Sequence, residues 1–326
     1  MFPNTASARG MQLLVVAQKY YINGASKSEI AKDLRISRFK VARLLEQAIE
    51  EGVVEIRLVP PVDVDLEMGR ALEKKYALSS VVVASNETSD LQQSRGQIGR
   101  LAAIVLQNVL SDGDTVGIAW GRTMDAMVRA VRELPQCSFV QMVGGVPTLS
   151  PAIDSMDLVR RLAEISGGRA FPLYAPIIVA DTITARRLAA DPLVNKTLAK
   201  FAELTHAVVG IGSWNPPNSS VRDMLSPNIL ALENEGAVAD VCATVLDEDG
   251  IPVPGAHKLA ERSLSISWEH LSKVPHVVAL AGGGNKADAI RAVIQSGIIH
   301  TLVTDAAAAR RLLDTTPGSS GRGDGL

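Results

Sequence analysis

ASKSEIAKDLRISRFKVARLL, residues 25–45, reads as two short helices joined by a turn, with basic residues concentrated on the second. Ile30, Ala31 and Leu34 recur at helical spacing and give the first helix an apolar face. Ile36 falls in the turn, and Val41, Leu44 and Leu45 give the second helix its own apolar face. Ser37 stands where an N-cap belongs, its hydroxyl able to accept an orphan N–H of the first turn. Arg38, Lys40 and Arg43 then face outward. Six Lys or Arg against two acids over this stretch make a surface that can neutralise phosphates while side chains reach base edges. The candidate DNA-contacting residues are Lys27, Ser37, Arg38, Lys40 and Arg43. One departure is Arg35, at the turn position where such motifs usually place glycine. The competing reading is an ordinary amphipathic helix pair with a solvated charged face.

The surroundings favour the helix-turn-helix. Residues 11–21, MQLLVVAQKYY, read as a preceding apolar helix, and residues 52–59, GVVEIRLV, as a β-branched strand after the second helix. Three helices and a strand predict a winged domain over residues 1–60. The first sixty residues carry nine Lys or Arg against six Asp or Glu, and the remainder 24 against 29, so a net charge of −2 hides a basic head on an acidic body.

At 326 residues the chain can bury a sizeable core and is expected to form two domains. No apolar run reaches the roughly 18 residues of a membrane span, and the amino terminus lacks a signal-peptide pattern. A cytoplasmic protein without membrane contact is expected. Cys137 and Cys242 lack metal-site spacing and read as core packing, so neither a metal nor a cofactor is expected. Pro60-Pro61 marks the domain boundary, residues 64–76 read as a helix, and residues 315–326, TTPGSSGRGDGL, have the composition of a disordered tail.

From Ser79 onward, short apolar runs at 81–84, 115–120, 138–143, 206–211, 276–281 and 301–305 alternate with helical stretches such as 92–110 and 285–296. Runs of this kind suit strands of a largely parallel sheet covered on both faces, which predicts an α/β doubly wound body. Ligands in that architecture bind beyond the carboxyl ends of the strands. The loops there are glycine-rich: Gly121-Arg122-Thr123, Gly144-Gly145, Gly210 and Gly212, and Gly282-Gly283-Gly284 followed by Lys286. Glycine allows backbone N–H groups to approach an anion, and a helix starting there adds its positive end. A Thr123 hydroxyl and a Lys286 ammonium would complete a phosphate cradle. For any single loop, a tight strand-to-helix turn is the plainer explanation. No P-loop or dinucleotide-binding pattern is present.

The segments ISRFKVARLLEQAIEEGVVEI (36–56), VGIAWGRT (116–123), AVVGIGS (207–213), LAGGGNKADAI (280–290) and LVTD (302–305) resemble those of the SorC/DeoR-type family of sugar-responsive bacterial transcription factors. The resemblance covers nearly everything but the tail. It implies an N-terminal helix-turn-helix, a C-terminal effector domain over residues 61–314 similar to ribose-5-phosphate isomerase and glucosamine-6-phosphate deaminase, and homodimers or homotetramers on operator DNA. It implies a sugar, sugar phosphate or polyol as effector and, more commonly than not, repression relieved by that effector. The implied effector residues are Gly121, Arg122, Thr123, Gly144, Gly145, Asp240, Gly282, Gly283 and Lys286, with Arg122 and Lys286 toward a phosphate and Asp240 toward sugar hydroxyls. A solvated edge-strand acid is the alternative for Asp240.

The related enzymes supply a rival: a sugar-phosphate isomerase or deaminase with an accessory DNA-binding head. Such chemistry needs a carboxylate or imidazole that moves a proton beside a carbonyl. In similar deaminases Asp and His follow the GIG turn, whereas Ser213, Trp214 and Asn215 follow Gly210-Ile211-Gly212 here. His206, His257, His270, His276 and His300 read as scattered strand-end or surface residues, and only Asp181 and Asp305 remain as acids. The expected function is regulation of a carbohydrate or polyol operon, not catalysis.

Overall fold

A computed structural model describes residues 6–55, 63–85, 88, 90–145, 155–225 and 229–314. The chain divides into two compact units, Met1–Pro61 and Val62–Leu326.

The first unit is helical: α1 (Ala6–Ala17), a π-helical turn at Gln18–Ile22, α2 (Lys27–Asp33) and α3 (Arg38–Glu50). Both motif helices are capped by serine. Ser26 accepts from the Glu29 N–H while the Glu29 carboxylate accepts from the Ser26 N–H, a complete capping box. Ser37 accepts from the Lys40 N–H at 3.1 Å, as its position predicts. Leu13, Val16, Ile30, Val41, Leu44, Leu45 and Ala48 form one small core. Arg35 adopts φ 54° in the turn, a left-handed conformation that glycine would hold with less strain. The strand expected over residues 52–59 is absent at 53–55, where the chain bends; residues 56–62 and the 315–326 tail lie outside the described residues.

The second unit opens with α4 (Leu66–Tyr76), capped by Asp65. It then builds β1 (Ser80–Ala84), α5 (Leu91–Val109), β2 (Thr115–Ile118), α6 (Arg122–Ala130), β3 (Ser138–Gln141), α7 (Ser155–Ser166), β4 (Arg169–Phe171), β5 (His206–Gly210), β6 (Gly212–Ser213), β7 (Ala239–Val241), β8 (Thr244–Leu246), β9 (His276–Leu280) and β10 (Thr301–Asp305). Seven strands form a parallel sheet in the order β1-β10-β9-β5-β2-β3-β4. All six runs read from sequence are strands of it. Their residues alternate between two cores, so that Val277 and Ala279 pack on one face while Val278 and Leu280 pack on the other. Helices therefore cover both faces, and the carboxyl ends of the strands share one edge.

The segment around Asp240 forms a hairpin. β7 and β8 pair antiparallel, β6 pairs with β7, and the two-residue turn is Cys242-Ala243, with φ 50° and 68°. Positive φ at both central residues is the twist-matched hairpin geometry that usually selects Asn-Gly. Its adoption by a thiol and a methyl side chain places strain beside the sheet's carboxyl edge.

Candidate effector site and DNA-binding surface

A cavity opens at that edge, lined by the ends of β2, β5 and β9, the starts of α5 and α6, and the β7–β8 hairpin. Of the residues expected from sequence, Gly121, Arg122, Thr123, Asp240, Gly282 and Lys286 line it. They approach from three separate segments of the chain, 121–123, 240 and 282–286.

α6 begins at Gly121 without a side-chain cap, so its first-turn N–H groups are available to a ligand. Arg122 reaches across and donates from Nη2 to Asn218 Oδ1 at 3.2 Å. Lys286 comes from the opposite side, half-buried, and donates from Nζ to the Ile211 carbonyl at 2.8 Å. Burial lowers its ammonium to about 8; Asp240 opposes that shift, and Arg95 and Arg122 reinforce it.

Asp240 is buried rather than a solvated edge-strand acid. Its Oδ2 accepts the Trp214 indole N–H at 3.1 Å, and Ser219 and Lys286 also stabilise the charge. Burial nonetheless raises its carboxyl above the ordinary value. A carboxylate so placed can accept hydrogen bonds from the hydroxyls of a polyol, and the cations can hold an anion.

Gly144, Gly145 and Gly283 lie outside the cavity. The Gly144 N–H donates to Leu264 O at 2.8 Å and the Gly145 N–H to Ala175 O at 2.7 Å, so neither amide is left to cradle an anion. A Cβ on Gly144 would stand 2.7 Å from Ala175 O, which makes it a close-packing glycine. Val143 of that loop does line the cavity. The Gly283 N–H is held by Asp305 Oδ2 at 2.8 Å.

Sequence reasoning passed over Arg95, Asn218 and Ser219, which also line the cavity. Arg95 arrives because α5 and α6 pack tightly: a Cβ on Gly99 would stand 2.6 Å from the Ala126 carbonyl carbon. One helical turn before Gly99, Arg95 lines the same cavity as Arg122, whose charge acts on it. No short motif signals that neighbourhood. Ser219 was legible as an N-cap, since it accepts from the Arg222 N–H.

The groups that catalysis could have used are committed elsewhere. Asp305 accepts from Ser94 Oγ at 2.5 Å, Gly283 N at 2.8 Å and Ala308 N at 2.9 Å. Asp181 caps a helix through Thr184. Burial lifts the Cys137 thiol to about 11 and the Cys242 thiol to about 12, values that make poor nucleophiles. Three histidines expected to be scattered instead meet at the amino ends of their strands. His206 stacks on His276 with centroids 4.9 Å apart, and His276 lies 6.2 Å from His300, at the sheet edge opposite the cavity. Among the described residues no cluster of His, Cys, Asp and Glu is placed to hold a metal, and no helix is long and apolar enough to cross a membrane.

In the helical unit Arg38, Lys40 and Arg43 are exposed, and none makes an ion pair among the described residues. Ser37 is occupied as the cap of α3. Lys27 is half-buried, its ammonium 5.7 Å from the Tyr20 ring centroid. The acids Glu46 and Glu50 occupy the second half of α3, so the positive potential is concentrated at its amino end.

A family model described as "Putative sugar-binding domain" matches residues 61–314. The chain is similar to the sorbitol operon regulator of Klebsiella pneumoniae, at 26% identity over 318 residues covering 92% of this chain and 97% of that protein. It is similar to the deoxyribonucleoside regulator of Bacillus subtilis at 27% over 304 residues, covering 91% and 96%. The crystal structure of the full-length sorbitol operon regulator SorC from Klebsiella pneumoniae matches with a TM-score of 0.70 at 23% identity, covering 93% of this chain and 99% of that one. That last likeness carries the fold, including a helical region ahead of the parallel α/β domain, while the named relatives are transcriptional regulators and not enzymes. The chain belongs to the SorC/DeoR-type family of sugar-binding transcriptional regulators.

Proposed function

We propose that this protein is a one-component regulator of a carbohydrate or polyol operon, acting in the cytoplasm as a homodimer or homotetramer. α3 and the residues around it, namely Lys27, Ser37, Arg38, Lys40 and Arg43, form the operator-binding surface. The residue 61–314 domain binds a small sugar, sugar phosphate or polyol among Gly121, Arg122, Thr123, Asp240, Gly282 and Lys286. Gly144, Gly145 and Gly283 shape the loops around that cavity.

The observation that carries this reading is the convergence of a buried carboxylate, Asp240, with three cationic side chains, Arg95, Arg122 and Lys286, on one cavity. An acceptor for hydroxyl protons beside donors for an anion is the chemistry of a hydroxylated, phosphorylated ligand. Neutral polyols can use the same donors. Regulation then requires that the ligand bind the DNA-competent and DNA-incompetent arrangements unequally, because equal affinity shifts no population.

The test is thermal unfolding of the full chain against a panel of sugar phosphates, free sugars and polyols. A ligand that binds only the native state at 100 times its Kd contributes about 2.7 kcal/mol and raises the midpoint. A selective rise, with the ligand recovered unchanged, supports the reading. No shift across the panel, or conversion of ligand to product, contradicts it.

A further inference from the structure

Phe39 is 88% exposed, the most exposed large hydrophobic side chain among the described residues. It is the second residue of α3, immediately after the Ser37 cap and Arg38. The buried ridge of that helix is Val41, Leu44, Leu45 and Ala48, so Phe39 contributes nothing to the core of the head. An aromatic ring held in water on a well-formed helix forfeits the benefit of burial, which makes it a candidate for burial against a partner.

The surrounding charges identify that partner. Arg43, four residues on, shares the outward face with Phe39, and Arg38 and Lys40 flank it. A second copy of the same face would bring these cations against their own kind. Duplex DNA reverses that balance, since its phosphates meet the cations while the major groove offers one apolar feature, the 5-methyl group of thymine. The acids at Glu46 and Glu50 confine the approach to the amino-terminal half of α3, the half from which recognition helices reach base edges.

We infer that Phe39 reads a thymine 5-methyl group in the operator half-site. This rests on the proposed DNA-binding role of α3 and adds to it a sequence-determining contact without a hydrogen bond.

The test begins by selecting binding sites from a random duplex library with the full chain. Each thymine of the selected half-site is then replaced by deoxyuracil, which removes only the methyl group. Wild-type protein is expected to lose about fourfold in affinity at one such position, the factor one buried methyl group contributes. F39A is expected to bind the thymine site more weakly, to be indifferent to the deoxyuracil replacement, and to melt like wild type. F39L retains part of the discrimination and serves if F39A does not fold. Wild-type affinity unchanged by every deoxyuracil replacement overturns the inference and leaves the DNA-binding reading intact. So does F39A as sensitive as wild type, or F39A altered only in oligomeric state. Selection of no sequence by the wild-type protein overturns both.

Discussion

Gly212 lies opposite Asp240 in the β6–β7 ladder, so close that a Cβ on it would stand 2.1 Å from Asp240 Oδ2. The carboxylate fills the space a side chain at 212 would need. Gly282 repeats the arrangement, with its Cβ position 2.6 Å from Asp305 Oδ2. Two of the glycines at the cavity thus make room for carboxylates. Gly212→Ala must displace Asp240 or bend the ladder, at a cost of about 1–3 kcal/mol for overpacking. A lower unfolding midpoint together with loss of ligand binding is expected, measured by melting and titration of the same preparation. Ligand affinity equal to wild type would show that Asp240 is not held in place for the ligand.

Lys286 titrates where it can be tested. Its folded value, about 8, lies below the ordinary 10.5 because of burial. Between those values the unfolded chain binds more protons than the folded one, so this lysine's contribution to stability grows as pH rises through the window and is lost as pH falls to 8 and below. K286M should remove that part of the pH dependence of the melting midpoint. Anion binding runs the other way: affinity for a phosphorylated ligand should weaken from pH 7.5 to 9.5 as the ammonium discharges. K286R, with a fixed charge, should flatten the profile, and a wild-type profile already flat would remove Lys286 from the anion's recognition.

The histidine stack predicts acid sensitivity. Burial is the largest influence lowering His206 and His300, and His276 lowers both further. Folded values below the ordinary 6.5 mean stability that is present above about pH 6.5 and lost as pH falls through the folded values. His276 is exposed, so His276→Gln should cost little at pH 7.5 and should lessen the fall in midpoint between pH 6.5 and 5. Superimposable acid limbs for variant and wild type would contradict the coupling. Ligand affinity should not change, because the stack lies at the edge opposite the cavity.

On the head, Arg43 and Arg38 should separate. Arg43→Ala removes a side chain from the outward face of α3 and is expected to cost about 1–3 kcal/mol on the selected operator while relaxing its sequence preference. Arg38→Ala should weaken all duplexes alike and reduce the salt slope by about one. Anisotropy titrations at several salt concentrations distinguish the two. Wild-type DNA affinity in both variants would exclude α3 as the contact surface.

Much of this was legible in the chain because local patterns carried it. The six largely apolar runs reported the parallel sheet, since strands buried on both faces need no polar alternation. Ser37 announced its cap, and the SKSE pattern at 26–29 held a capping box that could also have been read. The Cys242-Ala243 turn escaped notice because it lacks Asn or Gly and takes positive φ regardless. Gly144 and Gly121 look alike in sequence, yet one packs against Ala175 and the other opens a helix at the cavity. Arg95 enters only through the close packing at Gly99, and the histidines meet only because β5, β9 and β10 are neighbours in the sheet. Both depend on contacts distant in sequence, which no local spacing encodes.

The most direct measurement is the affinity of the full chain for its selected duplex, by fluorescence anisotropy, with and without the ligand that raises its melting midpoint. The account predicts a change in Kd of about 5- to 150-fold at ligand saturation. It also predicts that Asp240→Asn abolishes this response while leaving DNA affinity without ligand unchanged. A ligand that saturates the body and leaves the operator Kd unmoved would contradict it.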